Sequence, residues 1–290
     1  MRLLRSLLFV PANRERMLAK AADAGADAVV LDLEDAVPAA ERKAARRLAR
    51  SAVRQLARAG AVVFVRVNGV PSGETRDDLM AVVRKGLAGV VLPKAEHPQD
   101  LRDLDVLLRE AEMASKVRPG DVALVPIIES PRGVLRCEQI AQASDRVVAL
   151  SVGGEDYTAA LGVPRGAAAL AQLRYTVVTV AAAYELSAID TPYPDIADRK
   201  GLAAEASLVR SMGFAGKYVV HPGQVAAVNR AFSPARGDVA AARRILAAAD
   251  ASGRAGEGSF SVDGRMVDAP VVARARALIA LDDAVRSRRR

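Results

Sequence analysis

Val125-Pro-Ile-Ile-Glu-Ser-Pro-Arg-Gly133 is apolar enough for a buried strand, yet it ends on a bare carboxylate and breaks at once into a Pro-Arg-Gly turn. Burying a carboxylate costs several kcal/mol unless a cation, a proton or hydrogen-bond donors compensate. A compensating group is therefore expected at Glu129. The fragment belongs to the run ALVPIIE (123–129), and similar β-branched runs lie on both sides: SLLFVP (6–11), AVVLDLE (28–34), VVFVRVN (62–68), GVVLPK (89–94), VVALSV (147–152), LSAIDTPY (186–193) and KYVVHP (217–222). Residues 14–24, 39–59, 101–113 and 199–212, between these runs, are rich in Ala, Leu, Arg, Lys and Glu at helical spacing. Such alternation signals βα units on a parallel sheet, and eight strands with crossovers in 290 residues is the count of an α/β protein of the (β/α)8 TIM-barrel class. A doubly wound open sheet has the same periodicity and stays open as the alternative.

After His221 the pattern changes to a helix through Ala227, the loop Ser233-Pro-Ala-Arg-Gly237, a long Ala-rich helix to about Asp250 and the Gly-rich stretch SGRAGEGSFSVDGRMVDAP. Asp263-Gly264 marks a hairpin turn, and a last helix is expected over about 270–285. The organisation expected is a barrel over 1–232 and a C-terminal helical extension over 233–290.

A single cysteine, Cys137, rules out an intramolecular disulfide framework. The apolar patch near the start is too short for a signal segment and no run approaches a membrane span, so a soluble cytoplasmic protein is expected. The net charge of +8 favours anionic ligands. Nucleic acid is the less favoured class of partner, because aromatic residues are only 3% of the chain and no zinc-finger or RNP signature is present.

Six of the eight runs end on charged or hydrogen-bonding residues: Glu34 and Asp35, Arg66 and Asn68, Lys94, Glu129, Glu155 and Asp156, and His221. In a parallel barrel all of these would open onto one face, where the sites of such enzymes lie. Glu129 and Asp156, about one βα unit apart, would then reach a single ion, and two carboxylates suit Mg²⁺ or Mn²⁺, which keep positions for water and substrate oxygens. Capping roles for both are the structural alternative. Two histidines and one cysteine provide no zinc cluster, and a glycosidase pair is disfavoured in a chain without Trp. Gly153 and Gly154 would let the backbone approach an anionic ligand beside Glu155 and Asp156. Arg66, on an apolar strand, needs an anionic partner: a substrate carboxylate, a developing enolate, or Glu34 in a structural pair.

The blocks RSLLFVPANRERMLAKA, GADAVVLDLEDAV, FVRVN, GVVLPKAE, PIIESPRG, GGEDYTAALG, IDTPYPD, GKYVVHPGQV and VDGRMVDAPVV resemble the citrate lyase β-subunit-like family of the HpcH/HpaI aldolase superfamily, near malyl-CoA, β-methylmalyl-CoA and citramalyl-CoA lyases. The resemblance implies a TIM barrel that binds Mg²⁺ and cleaves a 3-hydroxyacyl-CoA into an acyl-CoA and a 2-oxo acid, or runs the condensation. It also implies a homotrimer or trimer-based hexamer. Matched by motif, the metal ligands are Glu129 and Asp156, with Arg66 on the substrate oxygens and Glu34 orienting it. Gly154, Glu155 and Asp156 lie on the substrate side, and Phe9, Arg16, Lys20, Val220 and His221 match positions that contact coenzyme A. Asp268 matches an acid offered to a neighbouring subunit's active site, which the extension would cover. Ala12 departs from the glycine common in relatives, and GGEDY resembles stand-alone lyases more than the GTNDL form of citrate lyase subunits. The alternatives left standing are the acyl lyase subunit of a citrate lyase complex, a metal-dependent aldolase of free 2-oxo acids, and a non-catalytic nucleic-acid-binding barrel.

Overall fold

The computed structural model of the chain describes residues 3–255 and 259–288. Eight parallel strands close into a barrel in sequence order: β1 (Ser6–Pro11), β2 (Ala28–Asp32), β3 (Val62–Arg66), β4 (Leu87–Leu92), β5 (Ala123–Ile128), β6 (Ala149–Val152), β7 (Ser187–Asp190) and β8 (Gly216–Val219). β8 returns to β1 with Ser6 opposite Lys217, so the open sheet is excluded. Most of these strands are buried on both faces, because the interior of the barrel is filled by side chains and its outside is covered by helices. Inward-facing Leu7, Val30, Phe64, Val91, Ile127 and Tyr218 belong to one packed cluster.

The helices are α1 (Glu15–Lys20), α2 (Arg42–Arg58), α3 (Thr75–Val82), α4 (Pro98–Ala114), α5 (Pro131–Leu135), α6 (Cys137–Ala141), α7 (Gly154–Leu161), α8 (Ala167–Ala183), α9 (Arg199–Met212), α10 (Pro222–Ala231), α11 (Arg236–Ala255) and α12 (Ala269–Arg288). α2 buries Ala45, Ala49, Ala52, Val53 and Leu56 on one stripe and leaves Arg47, Arg50, Arg54 and Arg58 outside, the expected result of apolar spacing at three and four residues. The strands stop short of the sequence reading at their C-terminal ends, at Asp32 rather than Glu34, Arg66 rather than Asn68 and Val219 rather than Pro222. The polar residues there leave the ladder and turn over the rim, which is what positions the site.

The chain separates into two compact units, Leu4–Ala231 and the residues from Phe232 onward together with Leu3. In the second unit α11 and α12 pack against each other, and Phe260–Val262 (β9) pairs antiparallel with Arg265–Val267 (β10) across the Asp263-Gly264 turn. α11 continues to Ala255, past the end at Asp250 expected from sequence, and residues 256–258 of the Gly-rich stretch lie outside the described residues. Among the described residues no helix is long and apolar enough to cross a membrane.

Candidate active site

Arg66 closes β3 directly opposite Asp32, the last residue of β2. Its Nε and Nη2 donate to the two carboxylate oxygens of Asp32 at 2.7 and 2.6 Å, a planar fork on a planar acceptor. Nη1 faces Glu34 Oε2 at 3.0 Å and Asp35 Oδ2 at 3.2 Å. Burial alone would lower the guanidinium's value, but Asp32, Glu34 and Asp35 raise it, so the charge is fixed. The guanidinium stands over the Phe9 ring at 4.9 Å, and Phe9 in turn packs on Tyr218 with centroids 4.7 Å apart. The chief partner of Arg66 is therefore Asp32, which the sequence reading did not single out, with Glu34 in second place. An acid inside the otherwise apolar run AVVLDLE, at the level of an arginine in the next run, was the available signal.

Glu129 follows β5 and is buried, and among the described residues its carboxylate accepts one hydrogen bond, from the Lys94 backbone N–H to Oε1 at 2.5 Å. Burial, reinforced by Asp156 and Glu34, pushes its carboxyl up to about 8 against the opposing pull of the Lys94 amide and Arg66. Lys94 presents that amide with φ of +52°, and its Nζ reaches back to Glu34 Oε1 at 2.5 Å and Asp35 Oδ1 at 3.3 Å. Lys94 thus holds Glu129 by its main chain and the acidic rim by its side chain. Gly153 is obligatory for a local steric reason: a Cβ there would stand 2.1 Å from Glu129 Oε2. Next to it the Gly154 N–H donates to Thr191 Oγ1 at 3.0 Å, starting α7 and placing Glu155 and Asp156 in its first turn. Glu155 is drawn to Arg165 at 3.0 Å, while Asp156 has no such partner among the described residues.

Most of these groups surround a cavity of about 480 Å³ at the C-terminal ends of the strands, lined by Phe9, Arg66, Glu129, Gly154, Glu155, Asp156 and Val220 among others, with Glu34 and Lys94 outside the lining. Of the residues picked out from the sequence, Arg16 and Lys20 are exposed on α1, and exposed His221 uses Nδ1 to accept from the Gly223 N–H at 3.0 Å; none of the three lines the cavity. Asp268 belongs to the second unit, where its carboxylate and carbonyl accept from Val271 and Val272 at the start of α12. Thr191 and Tyr218 line the cavity without having been anticipated.

Among the described residues no group of three or more His, Cys, Asp or Glu could hold a metal. The pair Glu129 and Asp156 nevertheless fits a hard divalent cation that takes one or two carboxylates and leaves its other positions to water and substrate. The sign of that fit is geometric: Glu129 is buried, accepts from the Lys94 amide, and lines the same cavity as Asp156, which forms no ion pair among the described residues.

A closed parallel barrel with fixed charges converging on the C-terminal mouth is the architecture of a TIM-barrel enzyme. The chain belongs to the HpcH/HpaI aldolase/citrate lyase family, whose model matches residues 5–222. It is 36% identical over 281 residues to citrate lyase subunit beta of Haemophilus influenzae, covering 96% of this chain and 97% of that one. It is 30% identical over 300 residues to the L-malyl-CoA/beta-methylmalyl-CoA lyase of Rhodobacter capsulatus, covering 96% and 94%. Among solved structures it resembles protein CitE from Mycobacterium tuberculosis in complex with magnesium, acetoacetate and coenzyme A, with a TM-score of 0.77 and 31% identity over 98% of this chain and 100% of that one.

Proposed function

We propose that the chain is a magnesium-dependent carbon–carbon lyase that cleaves a 3-hydroxyacyl-CoA of the malyl-CoA, β-methylmalyl-CoA or citramalyl-CoA type into an acyl-CoA and a 2-oxo acid, or runs the condensation. The observation that carries this reading is the buried Glu129 beside Asp156, facing the same cavity as the locked Arg66. The two carboxylates would hold Mg²⁺, with Mn²⁺ able to substitute, and the cation would supply a Lewis acid for substrate oxygens. Arg66 keeps its charge and its plane fixed by Asp32 and Glu34, so it offers donors to an oxygen that gains negative charge as the C–C bond breaks. Glu34 positions Arg66. The Gly154–Asp156 turn borders the 2-oxo acid, and Phe9 and Val220, with Arg16, Lys20 and His221 outside the cavity, form the track for coenzyme A. Asp268 protonates the acyl carbon on cleavage or takes its proton in synthesis, reaching a neighbouring barrel in a homotrimer or a hexamer built from trimers.

Purified protein with Mg²⁺ and each of the three thioesters tests the reaction, reading free 2-oxo acid, acyl-CoA and CoA. No product from any of them would overturn it. The identity to the Haemophilus influenzae subunit favours a second reading, an acyl lyase subunit of a citrate lyase complex, and turnover only of a thioester on a carrier protein would select it. Asp268→Asn and Arg66→Ala proteins, each inactive, should regain part of the activity when mixed under conditions that exchange subunits. No recovery despite demonstrated exchange would place Asp268 in its own barrel or outside the site.

A further inference from the structure

We propose that the end of the barrel opposite the candidate active site carries a second anion site, built for a small polyphosphate chain, free or as part of a nucleotide. The C-terminal half of α2, the turn before β4 and the C-terminal end of α4 enclose a cavity of about 830 Å³ there, in the size range of ligand pockets. Its lining includes Arg50, Arg54, Arg58, Arg84 and Lys85, and neither an acidic nor an aromatic residue. Arg84, Lys85 and Gly86 immediately precede Leu87, the first residue of β4, whereas Glu129 and Asp156 lie beyond the last residues of β5 and β6. The two sites are thus separated by the height of the barrel.

The arginine stripe of α2 shows what is unusual. Arg46, Arg50, Arg54 and Arg58 recur at four-residue spacing, where like charges repel. Arg46 is neutralised within the fold, by Asp78 at 2.7 Å and by Glu74. Among the described residues, Arg50, Arg54, Arg58, Arg84 and Lys85 form no ion pair. Arg84 is buried, its Nη2 donates to the Ala81 carbonyl, and its Nε has no hydrogen-bond partner. Burial, then Arg50 and Arg54, push its value down to about 10, so the nearby charges that bear on it are cations. The crowding is built in by Gly86: at φ of +104°, with a would-be Cβ 2.7 Å from that of Ala57, it lets the turn press onto α2 and carry Arg84 under Arg50 and Arg54.

Several guanidinium forks converging on a concave space without acids suit an anion of several negative charges with closely spaced oxygens, and a phosphate chain has that form. Single-stranded nucleic acid would call for aromatic faces for its bases, which this lining lacks.

The test is calorimetric titration of the full-length protein with sodium tripolyphosphate and with ATP, in EDTA, against sodium chloride at matched ionic strength. Calorimetry suits a chain that has no tryptophan to report by fluorescence. One equivalent is expected to bind, and Arg50→Gln/Arg54→Gln, on the exposed face of α2, should weaken binding about tenfold or more, as should Arg84→Gln. Arg16→Gln/Lys20→Gln should leave binding unchanged, which separates this site from the coenzyme A track whether or not the proposed reaction is correct. Equal affinity for tripolyphosphate and ATP assigns recognition to the phosphates alone, and tighter ATP binding adds the nucleoside; either result sustains the site. Binding that survives the α2 double substitution, or that chloride reproduces, overturns it.

Discussion

Glu129 and Glu205 are both largely buried in the same barrel unit, and their carboxyls are driven in opposite directions, Glu129 up to about 8 and Glu205 down to about 2. Burial pushes both up. Around Glu205 that push is overcome by Lys217 at 2.7 Å, Arg174 at 3.2 Å and Arg165 at 3.1 Å. Two of these cations also serve Asp190, which takes Arg174 Nε at 2.8 Å and Lys217 Nζ at 2.6 Å, so both carboxylates of the cluster behind β7 and β8 are paired. Glu129 instead faces two further carboxylates, Asp156 and Glu34, and receives one amide, while the nearby cations are committed to Asp32, Glu34 and Asp35. The first arrangement holds helices to the barrel; the second sets five carboxylates, Asp32, Glu34, Asp35, Glu129 and Asp156, against two cations, Arg66 and Lys94.

The largest effect expected from breaking this contrast is at Glu129. Glu129→Gln or Asp156→Asn should abolish cation-dependent turnover and leave the fold intact, checked by product assay and circular dichroism; full activity in chelator would refute the metal assignment. Asp190→Asn should behave in the opposite way, destabilising by about 3–5 kcal/mol in denaturant titration because Arg174 and Lys217 lose a buried counter-charge. Arg66→Lys keeps the charge and loses the fork on Asp32, and turnover should fall roughly 10²-fold in steady-state kinetics.

The smallest effect is in pH dependence, and its sign differs between the two regions. Glu129, with its folded value raised, keeps its proton between about pH 4.5 and 8 while the unfolded chain has lost it, so the metal-free protein loses stability as pH rises through that window. The groups acting on it are Asp156, Glu34, Arg66 and the Lys94 amide. Glu205, with its value depressed, contributes stability that is fully present above about pH 4.5 and lost as pH falls toward 2. Thermal melts across pH should show Glu129→Gln flattening the neutral limb and Glu205→Gln the acid limb; swapped or absent effects would break the comparison.

The eight strands and the site's end of the barrel were legible because a strand buried on both faces writes an unbroken apolar run and its polar terminus marks the mouth. Glu129 was legible for the same reason, a carboxylate without local excuse. The pairing of Arg66 with Asp32 was not, since it depends on the β2–β3 register, which brings Asp32 opposite Arg66 although 34 positions separate them. The cluster of Arg174, Asp190, Glu205 and Lys217 was hidden likewise: its members come from α8, β7, α9 and β8, and Lys217 in KYVVHP looks like a solvent-facing strand residue until α9 covers it. The helix α11 outran its expected end because a glycine near a helix terminus carries only a weak penalty, which a boundary drawn at Asp250 overstated.

The contact between Gly153 and Glu129 makes one codon answer for another. A single added methyl at position 153 would claim the volume of the Glu129 carboxylate, so Gly153→Ala should mimic loss of a group it does not itself carry. Gly154 differs in degree, its would-be Cβ standing 3.1 Å from Thr191, a tight contact rather than an overlap. The two adjacent glycines thus have unequal tolerance to change, and the first ties the heredity of a backbone position to that of a side chain one strand away.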